Sequence, residues 1–453
     1  THAFGLENLT LYATNYTHFI VADQGADAGD VFLRKLRVRG DIYRGHLTPE
    51  QITERYTAAQ RVNSGDTLRL GGKNVEVTDC DIYGSGRALY ISHGQGARIE
   101  NNLLYNGRGG WYCISGSDGV IFANNRIVGA DMAATGGGIN CLDGSCFSQN
   151  VYYAHNSLSL MHGWDREAMT SDAGGGLYIG GIAGADATRV ALLEDPKPGK
   201  RDWAGAAVFI HNGRGQGQYR RVKSIEGKVV TVDQPWAVPP DATSTVGITM
   251  LQRRYLLIDN EFTDTGVAIQ FYGCSVEHMV VGNRCARAGG YVAIGKPYGG
   301  YNLPPEKNPC QQPTWYCQFL DNRVLEGNNY RSGSNNSDLS ADTVLAVYGW
   351  PATKEWKWPL ARGATIRRNV LDNNARIVAG NGDNPIAQVV DILVEGNRIA
   401  NCGTGITVGA STAGIYLRNN RFDNVAVPFD GPVLEKAALA PDQRAVYEQL
   451  RKK

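Results

Sequence analysis

Along most of the chain, short apolar runs alternate with polar positions at a period of two, the pattern of strands that bury one face. One short signature recurs at the ends of these runs: an asparagine, one further residue, then an apolar position. It appears in IENNLLY (Asn102), FANNRIV (Asn125), YAHNSLS (Asn156), LIDNEFT (Asn260), VVGNRCA (Asn283), FLDNRVL (Asn322), IRRNVLD (Asn369), VEGNRIA (Asn397) and LRNNRFD (Asn420). LENLTLY places Asn8 in the same frame, and VTDCDIY puts Cys80 in the asparagine's slot. A second motif follows each turn, as ALYIS, WYCIS, INCLD, GLYIG, AIQFYG, VAIGK, LAVYG and GITVG. Its alternation predicts Ile91, Ile114, Leu142, Ile179, Phe271 and Ile294 as inward positions, with their neighbours facing out.

The intervals 80→102, 102→125, 260→283 and 397→420 are 22, 23, 23 and 23 residues. A repeat of this length with about three short strands is the mark of a parallel β-solenoid, whose coils stack at about 4.8 Å and cannot bury their faces alone. The recurring asparagine then stands at a bend, where its amide bonds the equivalent residue of the next coil and satisfies turn backbone groups. On these motifs the sequence resembles the right-handed parallel β-helix superfamily, the pectate-lyase-like fold with PbH1-type repeats, over residues 5–430. The resemblance implies an all-β solenoid of about eleven coils and a carbohydrate-active enzyme of glycoside-hydrolase type.

Interruptions of the repeat carry the functional signal, because insertions in solenoids cluster on one face. Asn125→Asn156 spans 31 residues, Asn283→Asn322 spans 39, Asn322→Asn369 spans 47 and Asn156→Asn260 spans 104. The expected organisation is an N-terminal set of coils over 1–182, a small inserted β module over 183–248, C-terminal coils over 249–431, and a helical tail over 432–453 that caps the last coil. Within the insert, NGRGQGQ lacks the Lys-Ser/Thr and the following helix of a phosphate loop, and reads as a turn.

Composition narrows the classes. A net charge of +1 with no block of like charge excludes the footprint of a nucleic-acid binder. No run reaches the ~18 apolar residues of a membrane-spanning helix. Nine cysteines leave at least one thiol unpaired. Cys141/Cys146 and Cys310/Cys317 are spaced for short-loop disulfides, with buried thiols the competing reading. No Cys/His spacing points to a metal. The opening THAFGLENLTLYA already reads as strand, so an upstream signal region is expected to have been removed from a secreted or periplasmic bacterial protein.

The candidate chemistry lies where the coils are expanded. The stretch HGWDREAMTSDAGGG carries His162, Trp164, Asp165, Arg166, Glu167 and Asp172, and Asp143 follows the strand INC. Two carboxylates flanking a glycosidic bond, one acid and one base or nucleophile, are what glycoside hydrolysis requires. Asp143, Asp172, Asp165 and Glu167 are the catalytic candidates. His162, Arg166, Trp164, His93, Tyr90, Tyr178, Gln270, Tyr272, Lys296 and Tyr298 are the substrate-binding candidates. Loop aromatics add Trp111, Tyr301, Trp315, Tyr316, Trp350, Trp356 and Trp358. The competing readings are an Asp-Gly turn at Asp143 and a solvated, salt-bridged turn at 165–167.

The polygalacturonase-like motifs (NTD, paired Asp, GHG and RIK) are absent, SHGQG around His93 being a faint echo. Three readings therefore stand: a glycoside hydrolase without cofactor; a polysaccharide lyase using Lys296 or Arg166 as base, with Ca²⁺ on the loop carboxylates; and a non-catalytic, glycan-binding or tailspike-like β-helix.

Overall fold

The computed structural model describes residues 3–12, 19–22, 29–40, 66–84, 87–105, 112–130, 138–141, 144–161, 167–173, 175–299, 309–327, 343–351, 356–381, 386–432, 434 and 438–451. Its body is a parallel β-helix whose coils pair in register through three sheets. In the first sheet Leu70, Ile91, Ile114, Ile139, Ser171, Phe271, Ala293, Val347 and Ala379 are successive partners. In the second, the row runs Ile99, Phe122, Tyr153, Leu257, Val280, Phe319, Ile366, Val394 and Leu417. The third aligns Leu104, Ile127, Leu158, Phe262, Cys285, Val324, Leu371 and Ile399. Nearly all of these side chains belong to one continuous apolar core.

Three of the predicted inward positions, Ile91, Ile114 and Phe271, are in the first row. Leu142 lies outside the described residues. Two others are corrected: Ala293, not Ile294, points inward, and Ser171 stands where Ile179 was expected. A one-residue slip exchanges the faces of a strand, so these corrections decide which side chains face the surface.

The asparagine slot lies at the bend between the second and third sheets. Each Oδ1 accepts both the backbone N–H and the side-chain Nδ2–H of the asparagine one coil before. Asn102 donates to Asn125 at 3.0 and 2.9 Å, and the pattern repeats through Asn156, Asn260, Asn283, Asn322, Asn369, Asn397 and Asn420. Cys80 takes the slot one coil earlier, its N–H donating to Asn102 Oδ1 at 3.0 Å. Asn8 does not belong to the ladder. It occupies the preceding left-handed position (φ 56°), equivalent to Asn101 and Asn124, and Leu9 and Leu36 fill the slot in the first coils.

At the other end the ladder passes into the C-terminal helix Pro441–Arg451: Asn420 Nδ2 donates to Gln443 Oε1 at 3.0 Å, and Gln443 Nε2 donates back to the Asn420 carbonyl at 3.0 Å. Proline at the first helical position and Asp442, which accepts from Asn419 N–H at 2.9 Å, start that helix on the open edge of the last coil.

Removing a middle rung has a defined cost. Asn322 is fully buried; it accepts two hydrogen bonds from Asn283 and donates to Val280 O at 2.9 Å and to Asn369 Oδ1. Asn322→Ala strands several of these groups away from water, each costing about 1–3 kcal/mol. The expected loss is about 3 kcal/mol in all, read as a lower denaturant midpoint at unchanged m-value.

Between the coils of Asn156 and Asn260 sits a closed, six-stranded antiparallel barrel. It is built from Gly176–Ala185, Arg189–Leu192, Val229–Val232, Tyr219–Glu226, Ala207–Asn212 and Thr245–Thr249. Its core includes Ile182, Val190, Val208, Val222, Val230 and Ile248. The NGRGQGQ turn docks this barrel on the rod, with Tyr316 Oη donating to the Gly217 carbonyl at 2.6 Å. Gly213 is required there: at φ 80° a Cβ would lie 2.3 Å from the Thr243 carbonyl oxygen.

The short-loop disulfides are not formed. Cys141, Cys146 and Cys317 are buried thiols in no disulfide, Cys146 Sγ donating to the Asp202 carbonyl at 3.1 Å. Among the described residues no helix is long and apolar enough to cross a membrane.

Candidate active site

Alternation along the first-sheet strands places two rows of side chains on their outer face. One row reads Gly71, Ser92, Ser115, Asn140, Asp172, Tyr272, Ile294 and Tyr348. The other, two residues earlier, reads Arg69, Tyr90, Cys113, Gly138, Thr170, Gln270, Val292 and Ala346. The serines, Asn140, Val292 and Ile294 in these rows are buried, whereas Asp172, Tyr272, Tyr348 and Lys296 keep part of their surface.

Asp172 therefore has a different address from the one the glycine run suggested. The coil strand is Met169–Ala173, which carries Asp172 itself between Asn140 and Tyr272. GGGLYIG, expected to re-enter this sheet, instead opens the barrel, where Tyr178 is buried and its Oη donates to the Gly181 carbonyl at 2.7 Å. Tyr178 is consequently absent from the outer rows.

Three charged groups converge on the Asp172 coil. Lys296, two residues beyond Ile294, lies with Nζ 3.4 Å from the centroid of the Tyr272 ring. Burial lowers its pKa to about 8, and the negative charge of Asp172 is the leading influence in the opposite direction. Glu167, 8% exposed, accepts a 2.8 Å hydrogen bond at Oε1 from Gln270 Nε2. Gln270 faces Thr170 in the second row, so Glu167 is tied to the row beside that of Asp172. Asp172 and Lys296 thus interact on the outer face, and the buried Glu167 is tied to the neighbouring row, so the two carboxylates sit in different electrostatic surroundings.

Several expected contacts are not brought together here. His93, whose Nδ1 lies 2.7 Å from Ser92 Oγ, is three coils from Asp172, about 14 Å. Tyr90 lies against the guanidinium groups of Arg69 and Arg87, at 4.6 and 4.9 Å from its ring centroid, and both arginines pair with the buried Asp66 at 3.3 and 2.8 Å. Tyr90 is 8% exposed. One face of Tyr272 is taken by Lys296.

Trp315, Tyr316 and Trp356 belong to the junction of barrel and rod: Trp315 meets Phe209 at 5.0 Å and His211 at 5.7 Å, and Trp356 meets His211 at 5.9 Å. Asp143, His162, Trp164, Asp165, Arg166, Trp111 and Tyr301 lie outside the described residues, as does the side chain of Tyr298. Among the described residues no three His, Cys, Asp or Glu side chains group to hold a metal ion.

Sequence reading missed the Asp66–Arg69–Arg87–Tyr90 cluster. Its members are separated by about one repeat, so only the coil register reveals that they meet.

The family description "right handed beta helix region" matches residues 46–179. No curated protein sequence matches the chain. Among solved structures, the catalytic unit of a GH87 alpha-1,3-glucanase from Streptomyces thermodiastaticus is 13% identical, with TM-score 0.40, over 91% of this chain and 61% of that one. PfbA, a surface adhesin of Streptococcus pneumoniae, is 12% identical with TM-score 0.41, covering 93% of this chain and 81% of its own. DFA-IIIase from Arthrobacter chlorophenolicus is 11% identical with TM-score 0.36, covering 88% and 68%. The chain thus spans 61% of the glucanase's length. The architecture itself is a right-handed parallel β-helix carrying an inserted barrel.

Proposed function

We propose that the protein is a glycoside hydrolase acting on a poly- or oligosaccharide bound over the central coils. The observation that carries this reading is Asp172 on one outer row with Lys296 interacting with it, and Glu167 tied by hydrogen bond to Gln270 of the neighbouring row. Asp172, next to a cation, is assigned the anionic part, as base or nucleophile. Glu167, buried against the Gln270 amide, is assigned the proton donor for the leaving oxygen. Asp143 and Asp165 remain loop candidates for the same site. The test is incubation with plant, algal and host glycans while following new reducing ends. Products without unsaturation support hydrolysis, and binding without any product sinks both enzyme readings.

Lys296 supports a second reading. With a pKa of about 8 it has the basicity of a proton-abstracting amine, as a lyase acting on a uronate would use. The two chemistries demand opposite pH behaviour. In the hydrolase the ammonium form sustains the Asp172 anion, so activity falls as pH rises through about 8. In the lyase the neutral amine is the active form, so activity rises through the same pH. Lys296→Gln should abolish that limb of the kcat/KM profile in either case, and ultraviolet absorbance from an unsaturated uronate appears only with the lyase.

A further inference from the structure

We propose that Trp350, backed by Tyr348, is a sugar-stacking platform that holds the glycan along the rod axis on the C-terminal side of Asp172. The inference rests on the glycoside-active reading and names how that site recognises its substrate. Tyr348 stands in the same outer row as Asp172, three coil steps away through Tyr272 and Ile294, about 14 Å along the rod. Trp350 follows that strand, stacks on Tyr348 with centroids 5.9 Å apart and planes at 17°, and its backbone N–H donates to the Gly295 carbonyl at 2.8 Å. This bond sets it beside Lys296 in the neighbouring coil.

Trp350 is 38% exposed, whereas Trp315 and Trp356 are 1% and 9% exposed. Tyr90 is buried against arginines and Tyr272 is capped by Lys296. The Trp350 platform therefore offers an open aromatic face in line with the charged patch. A pyranose ring suits such a face: its axial C–H bonds meet the electron-rich π-cloud, while its hydroxyls point sideways to water or polar side chains. A gap of three coils takes several sugar rings to bridge, so the ligand class is an oligosaccharide chain rather than a disaccharide.

The experiment uses the full chain carrying Asp172→Asn, with and without Trp350→Ala or Trp350→Phe. The probes are di- and hexasaccharides of the nigero-, laminari-, malto-, cello- and oligogalacturonide series, with binding read by calorimetry and tryptophan fluorescence. The expected result is a hexasaccharide whose affinity drops about tenfold in Trp350→Ala, is largely restored in Trp350→Phe, and whose disaccharide affinity barely changes. Equal hexasaccharide binding with and without the indole overturns the platform and leaves the hydrolase reading standing. Equal losses for di- and hexasaccharide also overturn it, because they place Trp350 at the cleavage point. Binding of no probe to any variant overturns both.

Discussion

Asp172→Asn is expected to lower kcat by about a thousandfold, the size of effect that a positioned base or nucleophile supplies. The substitution keeps the shape of the side chain and its place between Asn140 and Tyr272, so the fold should survive. What it removes is the charge. A companion consequence follows for Lys296: Asp172 is the leading influence holding its pKa up, so without that charge the ammonium titrates below about 8. A kinetic loss together with a lower Lys296 titration, read by NMR of the labelled ammonium, identifies Asp172 as the anion facing Lys296. In Asp172→Ala, added azide or formate should restore part of the turnover by occupying the vacated carboxylate position. Retention of more than a tenth of wild-type activity by Asp172→Asn, with Asp143→Asn or Asp165→Asn inactive instead, would move the catalytic pair into the loops.

The repeat was legible because asparagine does something few other residues can do at that bend. It donates and accepts along the rod at once, and it appears wherever a rung is needed. Asn8 misled because asparagine also favours the left-handed position just before the slot. The site's register was harder to read for a physical reason. The strand MTSDA puts Ser171 where its neighbours put isoleucine or phenylalanine, so it carries almost no inward apolar signal, while GLYIG alternates cleanly. A barrel strand and a coil strand share the period of two, and periodicity cannot say to which sheet a strand belongs. The strand around Ile294 fails differently: Val292 and Ile294 are buried on the outer face in a second apolar cluster with Val344, Ala346 and Val378, and Ala293 is small. A strand buried on both faces has no alternation to read.

Acidification should unfold the protein at pH values where ordinary carboxylate pairs are still intact. His211 is fully buried at the junction of barrel and rod, boxed by Phe209, Trp315 and Trp356. Burial drives its pKa down to about 3, the Arg362 charge pushes the same way, and the Pro359 carbonyl opposes both. His278 lies in the rod core between Tyr255 and Phe271, at 4.2 and 4.4 Å, with Nδ1 accepting from Tyr255 N–H at 3.1 Å; burial also takes it to about 3. Both are neutral when folded, and in the unfolded chain they titrate near 6.5.

Between those values the unfolded state binds more protons, so stability is complete above about pH 6.5 and falls as pH drops toward 3. Each histidine contributes a slope of about 1.4 kcal/mol per pH unit, and two give nearly 3. By pH 4.5 the loss is about 5 kcal/mol, comparable to the whole stability of many domains. The arginine-paired carboxylates Glu76 and Glu395, held below their ordinary values by Arg34 and Arg418, add their own loss only below about pH 4.5, which leaves the upper window to the histidines. His211→Leu should change stability little at pH 7, because a buried polar ring in an apolar, aromatic box gives way to an apolar side chain, and should halve the slope between pH 6 and 4.5 in denaturant titrations. An unchanged slope in that variant would assign the acid lability to groups other than the barrel–rod junction.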